Sequence, residues 1–392
     1  MDRPLPAPGG FPIVGIVGGG QLARMCAGPA VELGITLSVL AESTQAAAAF
    51  AIPSAPVGAA DDLEAVRAFA RDCDVVTFDH EQVPQDVLAA LVAEGVTVHP
   101  SPEALVHAQD KLVMRNRLSQ MGIPCPAWAQ VDDVAALRAF GEAHGWPVVL
   151  KTPRGGYDGK GVRVVRTAED AADWFAHGEP LLAEESVDFV RELAVLVTRS
   201  PSGQASVWPI VHTVQTDGIC TSVVAPAADL DEELAGELAA TGLRIAGELG
   251  VTGVMAVEVF ELAAGDGAAY VVNELAMRPH NSGHWTQDGS VTSQFEQHLR
   301  AVLDLPLGAV TPRSPWTVMT NVLGGDPERH GQLYPTYKHL MARDPALRIH
   351  LYGKSVRPGR KIGHVNTYGT DLAEVTARGR HAADYLQGVI DE

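Results

Sequence analysis

Lys151 stands at the root of the stretch KTPRGGYDGKGV, which holds four glycines and a second lysine and follows the apolar run at 147–150. Glycine lets the backbone approach an anion closely and turn its N–H groups toward it. The stretch departs twice from the phosphate-loop pattern: Arg154 stands where the first glycine belongs, and Gly161 follows Lys160 where a hydroxyl residue is required. The next residues, VRVVRT, alternate and are β-branched, so the loop predicts a hairpin between two strands. Such a hairpin can close over a polyphosphate as a lid. The alternative is a long solvated hairpin.

A second chemical signal lies in GVMAVEVFELAAGDGAAYVVNELAMRP, where two apolar strands, 254–260 and 270–275, flank a turn around Asp266. If the hairpin is symmetric about Asp266, Glu258 and Glu274 face each other, with Ala256, Phe260, Val272 and Ala276 on the same face. Opposed carboxylates among apolar side chains repel, and a divalent cation resolves the repulsion. Mg²⁺ held by one or two carboxylates plus nucleotide phosphates is the expected form, with Asn273 adding an oxygen only if the strand end turns. Two ordinary glutamates on an exposed face are the alternative.

A third signal is the earlier loop GIVGGGQLA, which carries G-x-G-x-x-A from Gly18, sits between a predicted strand and helix, and has Glu42 at the end of the next strand. This arrangement offers the N–H groups of a helix N-terminus to a phosphate. A nicotinamide or flavin site, another phosphate-bearing ligand and a structural turn all remain open here.

These groups need a scaffold of the right size, and 392 residues with 46% apolar content predict two or three domains. Strands are expected at 12–17, 35–40, 75–78 and 96–99, with a helical stretch ending at Gly34 and helices at 63–71 and 87–94. That alternation implies a parallel sheet with helices on its faces. From Trp146 onward the order of strand, glycine loop, strand, helix and long β-rich stretches implies an α+β region. The net charge of -19 argues against a general nucleic-acid or membrane-surface binder. Four scattered cysteines, no signal-peptide pattern and no run of about 18 apolar residues lead to the expectation of a soluble, cytoplasmic protein.

Lys151, the glycine hairpin and the later Glu and Asn-Glu strand pair together resemble the ATP-grasp superfamily of carboxylate-amine ligases. The strings GIVGGGQLARM, AQDKLVMRNRL, GYDGKGV, NELAMRPHNSGHWT and YGKSVRPGRKIGHVN are similar to those of the N5-carboxyaminoimidazole ribonucleotide synthetases of purine biosynthesis. The resemblance implies a mixed α/β and α+β architecture: an ATP-grasp fold behind a Rossmann-like parallel-sheet domain. The expected divisions are an N-terminal substrate-binding domain at 1–107, a central lid domain at 108–187, and a C-terminal part at 188–392 with the metal and bicarbonate sites. It implies ATP and Mg²⁺ as cofactors, small-molecule substrates and a homodimer. Lys111 and Lys151 would contact phosphates, with Gly156, Tyr157, Asp158, Gly159, Lys160, Gly161 and Val162 closing over them. Glu184, Glu185, Ser186 and Val187 would form the strand beside adenine, and Glu192 would take the ribose hydroxyls. Glu258 and Glu274 would hold Mg²⁺ beside Asn273. Gln215 stands where the family often has His, and Asp79 where it commonly has Glu.

By the same resemblance Gly20, Gln21 and Leu22 would receive the 5'-phosphate of aminoimidazole ribonucleotide, and Glu81, Tyr157 and Asp158 would line its imidazole and ribose. Arg278 and His280 would grip bicarbonate and carboxyphosphate. Lys354, Arg360 and Lys361 would serve phosphate or carboxyl contacts. The implied activity is that of a C–N-forming ligase: ATP-dependent carboxylation of aminoimidazole ribonucleotide through carboxyphosphate. The rivals are another ATP-grasp ligase or a formyl-phosphate transformylase, an NAD-dependent dehydrogenase using Gly18, Gly20 and Glu42, and a non-catalytic nucleotide-binding module.

Overall fold

Three sheets, built from segments of different periodicity, organise the computed structural model, which describes residues 4–156, 161–216, 218–265 and 267–390. The first is parallel, in the order Thr36–Leu40, Ile13–Val17, Val75–Phe78. All five residues of Ile13–Val17 are buried, as a central parallel strand covered on both faces requires. The helical stretch before Gly34 is broken into Gln21–Met25 and Ala27–Leu33, and Gly34 ends it at φ 73°, a left-handed conformation that suits glycine. The strand expected at 96–99 is reduced to one bridge, Val98 to Val76. The Thr97 carbonyl and the His99 N–H both bond Val76, but the next residue, Pro100, has no N–H with which to extend the ladder.

The second sheet is antiparallel, in the order Trp128–Val131, Leu181–Glu185, Val148–Lys151, Val162–Val165. Val148 and Leu150 point into a core shared with Leu137 and Phe140 of the helix Val134–His144. Lys151 pairs with Val162, so the glycine loop is the connection of a hairpin. The helix expected after it is two short 3-10 turns, Ala168–Ala171 and Trp174–His177.

The third sheet has nine strands, running Tyr270–Ala276, Gly253–Glu261, Arg191–Arg199, Val211–Thr216, Ile219–Ala225, Trp316–Leu323, Lys361–Gly369, Arg348–Leu351, with Ala205–Val207 on Arg191–Arg199. One buried imidazole ties this sheet to the first. His298 accepts the Val254 N–H at its Nδ1 (3.1 Å), while its Nε2 lies 2.9 Å from Thr77 Oγ1. Burial holds His298 neutral, its pKa lowered to about 3, which fits one accepting and one donating nitrogen. Among the described residues no helix is long and apolar enough to cross a membrane.

Candidate active site

Glu258 and Glu274 are direct partners across the antiparallel pair Gly253–Glu261 and Tyr270–Ala276. The symmetric register holds for Ala256 with Ala276 and Val257 with Leu275, but a bulge follows: Val259 pairs with Val272, and Phe260 with Val271 instead of Val272. Asn273 is the extra residue. A bulge re-aims side chains at the point where pairing shifts, and here Asn273 and Glu274 each meet a lysine. Lys151 Nζ lies 3.1 Å from Asn273 Oδ1, and Lys111 Nζ lies 3.4 Å from Glu274 Oε1. The Asn273 oxygen thus reaches the site from within the strand, without the end-turn that a regular strand would need.

Lys151 is buried at the end of its strand and also contacts Glu184 at 2.7 Å. The other Glu184 oxygen accepts from Arg115 Nε at 2.5 Å. Arg115, fully buried, donates its remaining arms to the carbonyls of Val272 (2.9 Å) and Asn273 (2.6 Å), fastening the bulge to the helix Lys111–Gln120. Burial favours a neutral Glu184, but Arg115 and Lys151 outweigh it and hold the carboxyl below its ordinary range.

Glu258 behaves oppositely. Burial, then the charges of Glu274 and Glu192, push its pKa up to about 7, although Lys361 and Lys151 pull the other way. A carboxylate poised to take a proton beside a second carboxylate lacks positive charge, and a divalent cation would supply it. Among the described residues no group of three or more His, Cys, Asp or Glu is arranged to hold a metal ion. The pair therefore fits a cation whose remaining ligands come from phosphate and water.

On the far side of Glu258 lies His280, with Nε2 at 3.5 Å from Glu258 Oε1. Its Nδ1 accepts from the Ser282 N–H (3.4 Å) and lies 2.9 Å from Ser282 Oγ. Burial, with Arg278 and Lys361 nearby, lowers its pKa to about 3. A neutral ring that accepts at Nδ1 carries its proton on Nε2, facing the acids. Arg278, charged beside Glu81 despite its burial, bonds Glu81 Oε2 at 2.7 Å and the Pro279 carbonyl at 3.2 Å. The Glu81 main chain is in turn fixed by the Gln109 amide, 2.7 Å from its carbonyl.

The earlier glycine loop opens beside this cluster. Gly18 sits at φ 104°, and a Cβ on Gly20 would fall 1.9 Å from Asp79 Oδ2, so both positions need glycine. Asp79 accepts the Ala23 N–H at 2.7 Å and so serves the first turn of the five-residue helix Gln21–Met25. Glu42 faces the Gly19 N–H, 3.3 Å from each oxygen. Gln21 Oε1 accepts from Lys354 Nζ, joining the loop to the C-terminal part of the chain.

Family models match in three consecutive blocks: the ribonucleotide synthetase preATP-grasp domain over 12–109, the ATP-grasp domain over 116–295, and the phosphoribosylaminoimidazole carboxylase C-terminal domain over 317–378. The N5-carboxyaminoimidazole ribonucleotide synthase of Mycobacterium bovis is 52% identical over 379 residues, covering 96% of this chain and 88% of that protein. The chain belongs to the N5-carboxyaminoimidazole ribonucleotide synthase family. An ADP complex of such a synthetase superposes with a TM-score of 0.86 at 33% identity, covering 99% of this chain and all of that one. The Aspergillus clavatus enzyme, solved with ADP and 5-aminoimidazole ribonucleotide, gives 0.82 at 32% identity, covering 97% and 99%.

Family membership makes this an ATP-grasp ligase and sets aside the dehydrogenase reading of Gly18, Gly20 and Glu42, whose acid is turned onto its own loop. Of the synthase positions expected from sequence, Lys111, Lys151, Asn273, Glu274, Glu258, His280, Arg278 and Glu81 form one connected set. Gly156 at φ 80° and Gly161 at φ 73° flank the loop, while Tyr157, Asp158, Gly159 and Lys160 lie outside the described residues. The Glu184 carboxylate is committed to Arg115 and Lys151, and Glu185 accepts the Ala127 N–H. Glu192 lies beside Gln215, which stands just past a bulge in its strand. Arg360 bonds Ser355 within its own loop. Lys361 acts on Glu258 and His280 through its charge. Arg115 and Gln109 escaped the sequence reading. A lysine and an arginine at i, i+4 in KLVMR hinted that Arg115 shares a face with Lys111; Gln109 gave no such signal.

Proposed function

We propose that this chain carboxylates the exocyclic amine of 5-aminoimidazole ribonucleotide, using ATP and bicarbonate. The arrangement that carries the proposal is the union of two phosphate-suited lysines, a facing carboxylate pair and an Arg278–His280 anion grip in one patch. A bicarbonate oxygen attacks the γ-phosphorus, the bond to ADP breaks, and carboxyphosphate forms. The amine then bonds to the carboxyl carbon, directly or after release of CO₂. Phosphate departs and the amine loses a proton.

Positioning and charge neutralisation do most of this work. The bonds of Lys151 to Glu184 and Asn273 use two of an ammonium's three N–H groups, so one remains for a phosphate oxygen. Lys111 serves a second, and Gly156 to Val162 close above them. The main chain at 184–187 lies against adenine, and Glu192, with Gln215 beside it, takes the ribose hydroxyls. Glu258 and Glu274 would hold Mg²⁺, which supplies charge neutralisation on the phosphates when bound. Arg278 spends two of five N–H groups on Glu81 and Pro279 and offers others to bicarbonate, while His280 donates from Nε2. Gly20, Gln21 and Leu22 receive the 5'-phosphate of the ribonucleotide, Glu81, Tyr157 and Asp158 line its imidazole and ribose, and Lys354, Arg360 and Lys361 serve phosphate or transferred-carboxyl contacts.

The division into 1–107, 108–187 and 188–392, the homodimer and a cytoplasmic location belong to the same proposal; the three separate sheets support the first. The test is ADP release with ATP and Mg²⁺, with and without aminoimidazole ribonucleotide and bicarbonate. ADP formation that needs both supports the proposal; ADP formation indifferent to both overturns it.

A further inference from the structure

The anion grip rests on a loop, residues 277–284, and one fully buried amide beneath that loop has no assigned role. Gln294, the first residue of the helix Gln294–Val302, is 0% exposed. Its Oε1 accepts the His280 N–H at 2.9 Å, and its Nε2 donates to the His280 carbonyl at 2.8 Å and to His284 Nδ1 at 2.9 Å. Both amide hydrogens and the oxygen are therefore committed, and the orientation has no alternative. A flip would set the NH₂ against the His280 N–H and the oxygen against two acceptors. The helix N-terminus is tied to the same loop. Thr286 Oγ1 accepts the Gln294 N–H at 2.9 Å and donates to the Gly283 carbonyl at 2.6 Å. A Cβ on Gly283 would lie 2.4 Å from Gln294 Oε1, so a side chain there would push the amide aside.

We propose that Gln294 is a positioning residue for the carboxylation, holding the His280 main chain from both sides so that the ring presents Nε2–H to the anion beside Glu258. The inference rests on the carboxylation proposed above. Ser282 fixes the tautomer of His280; Gln294 fixes where the ring is carried. Neither Gln294 nor His284 touches the acids, so the effect on chemistry passes through His280 alone.

The test compares Gln294→Met with wild type. Methionine has nearly the same shape but leaves the His280 N–H without a partner and its carbonyl with the Gly283 N–H alone. The predicted result is a rise of at least about tenfold in KM for bicarbonate and more than one ADP released per carboxylated product, with KM for ATP unchanged. Gly283→Ala, which crowds the same amide, should give a milder version and stands in if Gln294→Met does not fold. A purely structural role would lower the unfolding midpoint and leave the bicarbonate-to-ATP KM ratio and the ADP-to-product ratio at wild-type values, and that outcome overturns the inference. If wild type itself shows no bicarbonate-dependent ADP formation, the underlying carboxylation falls first, and this inference with it.

Discussion

Glu184 grips Arg115 through one carboxylate oxygen and holds Lys151 at 2.7 Å through the other. One acid thus sets both the bulged strand, through Arg115, and the position of Lys151. Glu184→Gln keeps the shape and leaves Arg115 buried without its counter-charge. Loss of one partner from a buried pair costs about 3–5 kcal/mol, so chemical unfolding should begin at lower denaturant and KM for ATP should rise. The folded-state pKa of Glu184 is lowered, so its contribution is present above the unfolded value and lost as pH falls through the folded one. Acid titration should therefore destabilise wild type more steeply than Glu184→Gln.

Glu258 predicts the reverse slope. Its pKa is raised from 4.5 to about 7, so between those values the folded chain binds more protons than the unfolded one, and this contribution to stability declines as pH rises through the window. In chelator without nucleotide, Glu258→Gln should flatten that decline. Binding of Mg·ADP should expel the proton, and calorimetry at pH 7 in two buffers of different ionisation enthalpy should detect release of roughly half a proton. No release would contradict the cation assignment.

Much of this site was legible in the sequence, and the exceptions share a cause. The pairing of Glu258 with Glu274 followed from equal spacing about a glycine-rich turn, because local chain geometry fixes hairpin register. The bulge at Asn273 did not, since Val272 and Glu274 flank it with ordinary strand propensity; what holds it is Arg115, more than 150 residues away, bonding two consecutive carbonyls. The pairing of the Glu184 carboxylate was hidden for the same reason: its partners come from two other elements. Asp79, one methylene shorter than the family's common glutamate, answers the Ala23 N–H through the fold alone. The strand expected at 96–99 failed because propensity ignored the proline that ends its ladder.

The lid predicts a separation of turnover from stability. Gly156 is exposed at φ 80°, where proline, fixed near −65°, cannot follow. Gly156→Pro should lower kcat about tenfold or more while the loss of stability stays at the roughly 1–2 kcal/mol of a local backbone mismatch. Parallel steady-state assays and thermal melts read both, and unchanged turnover would remove the lid role.

Lys354 joins the C-terminal strands to Gln21. Lys354→Ala removes a charged hydrogen-bond donor, an interaction worth about 1.5–3 kcal/mol. KM for aminoimidazole ribonucleotide should rise tenfold or more, by about that free energy. KM for ATP should hold, and initial-rate assays with each substrate varied in turn separate the two.

The most direct test of bicarbonate as the phosphoryl acceptor uses bicarbonate labelled with ¹⁸O. Attack of its oxygen on the γ-phosphorus, followed by cleavage of the carbon–oxygen bond, carries one label into inorganic phosphate for each product formed. Mass spectrometry of the phosphate should find that label only when aminoimidazole ribonucleotide, ATP and the enzyme are all present. Product formed with unlabelled phosphate would contradict carboxyphosphate and the placement of bicarbonate against Arg278 and His280.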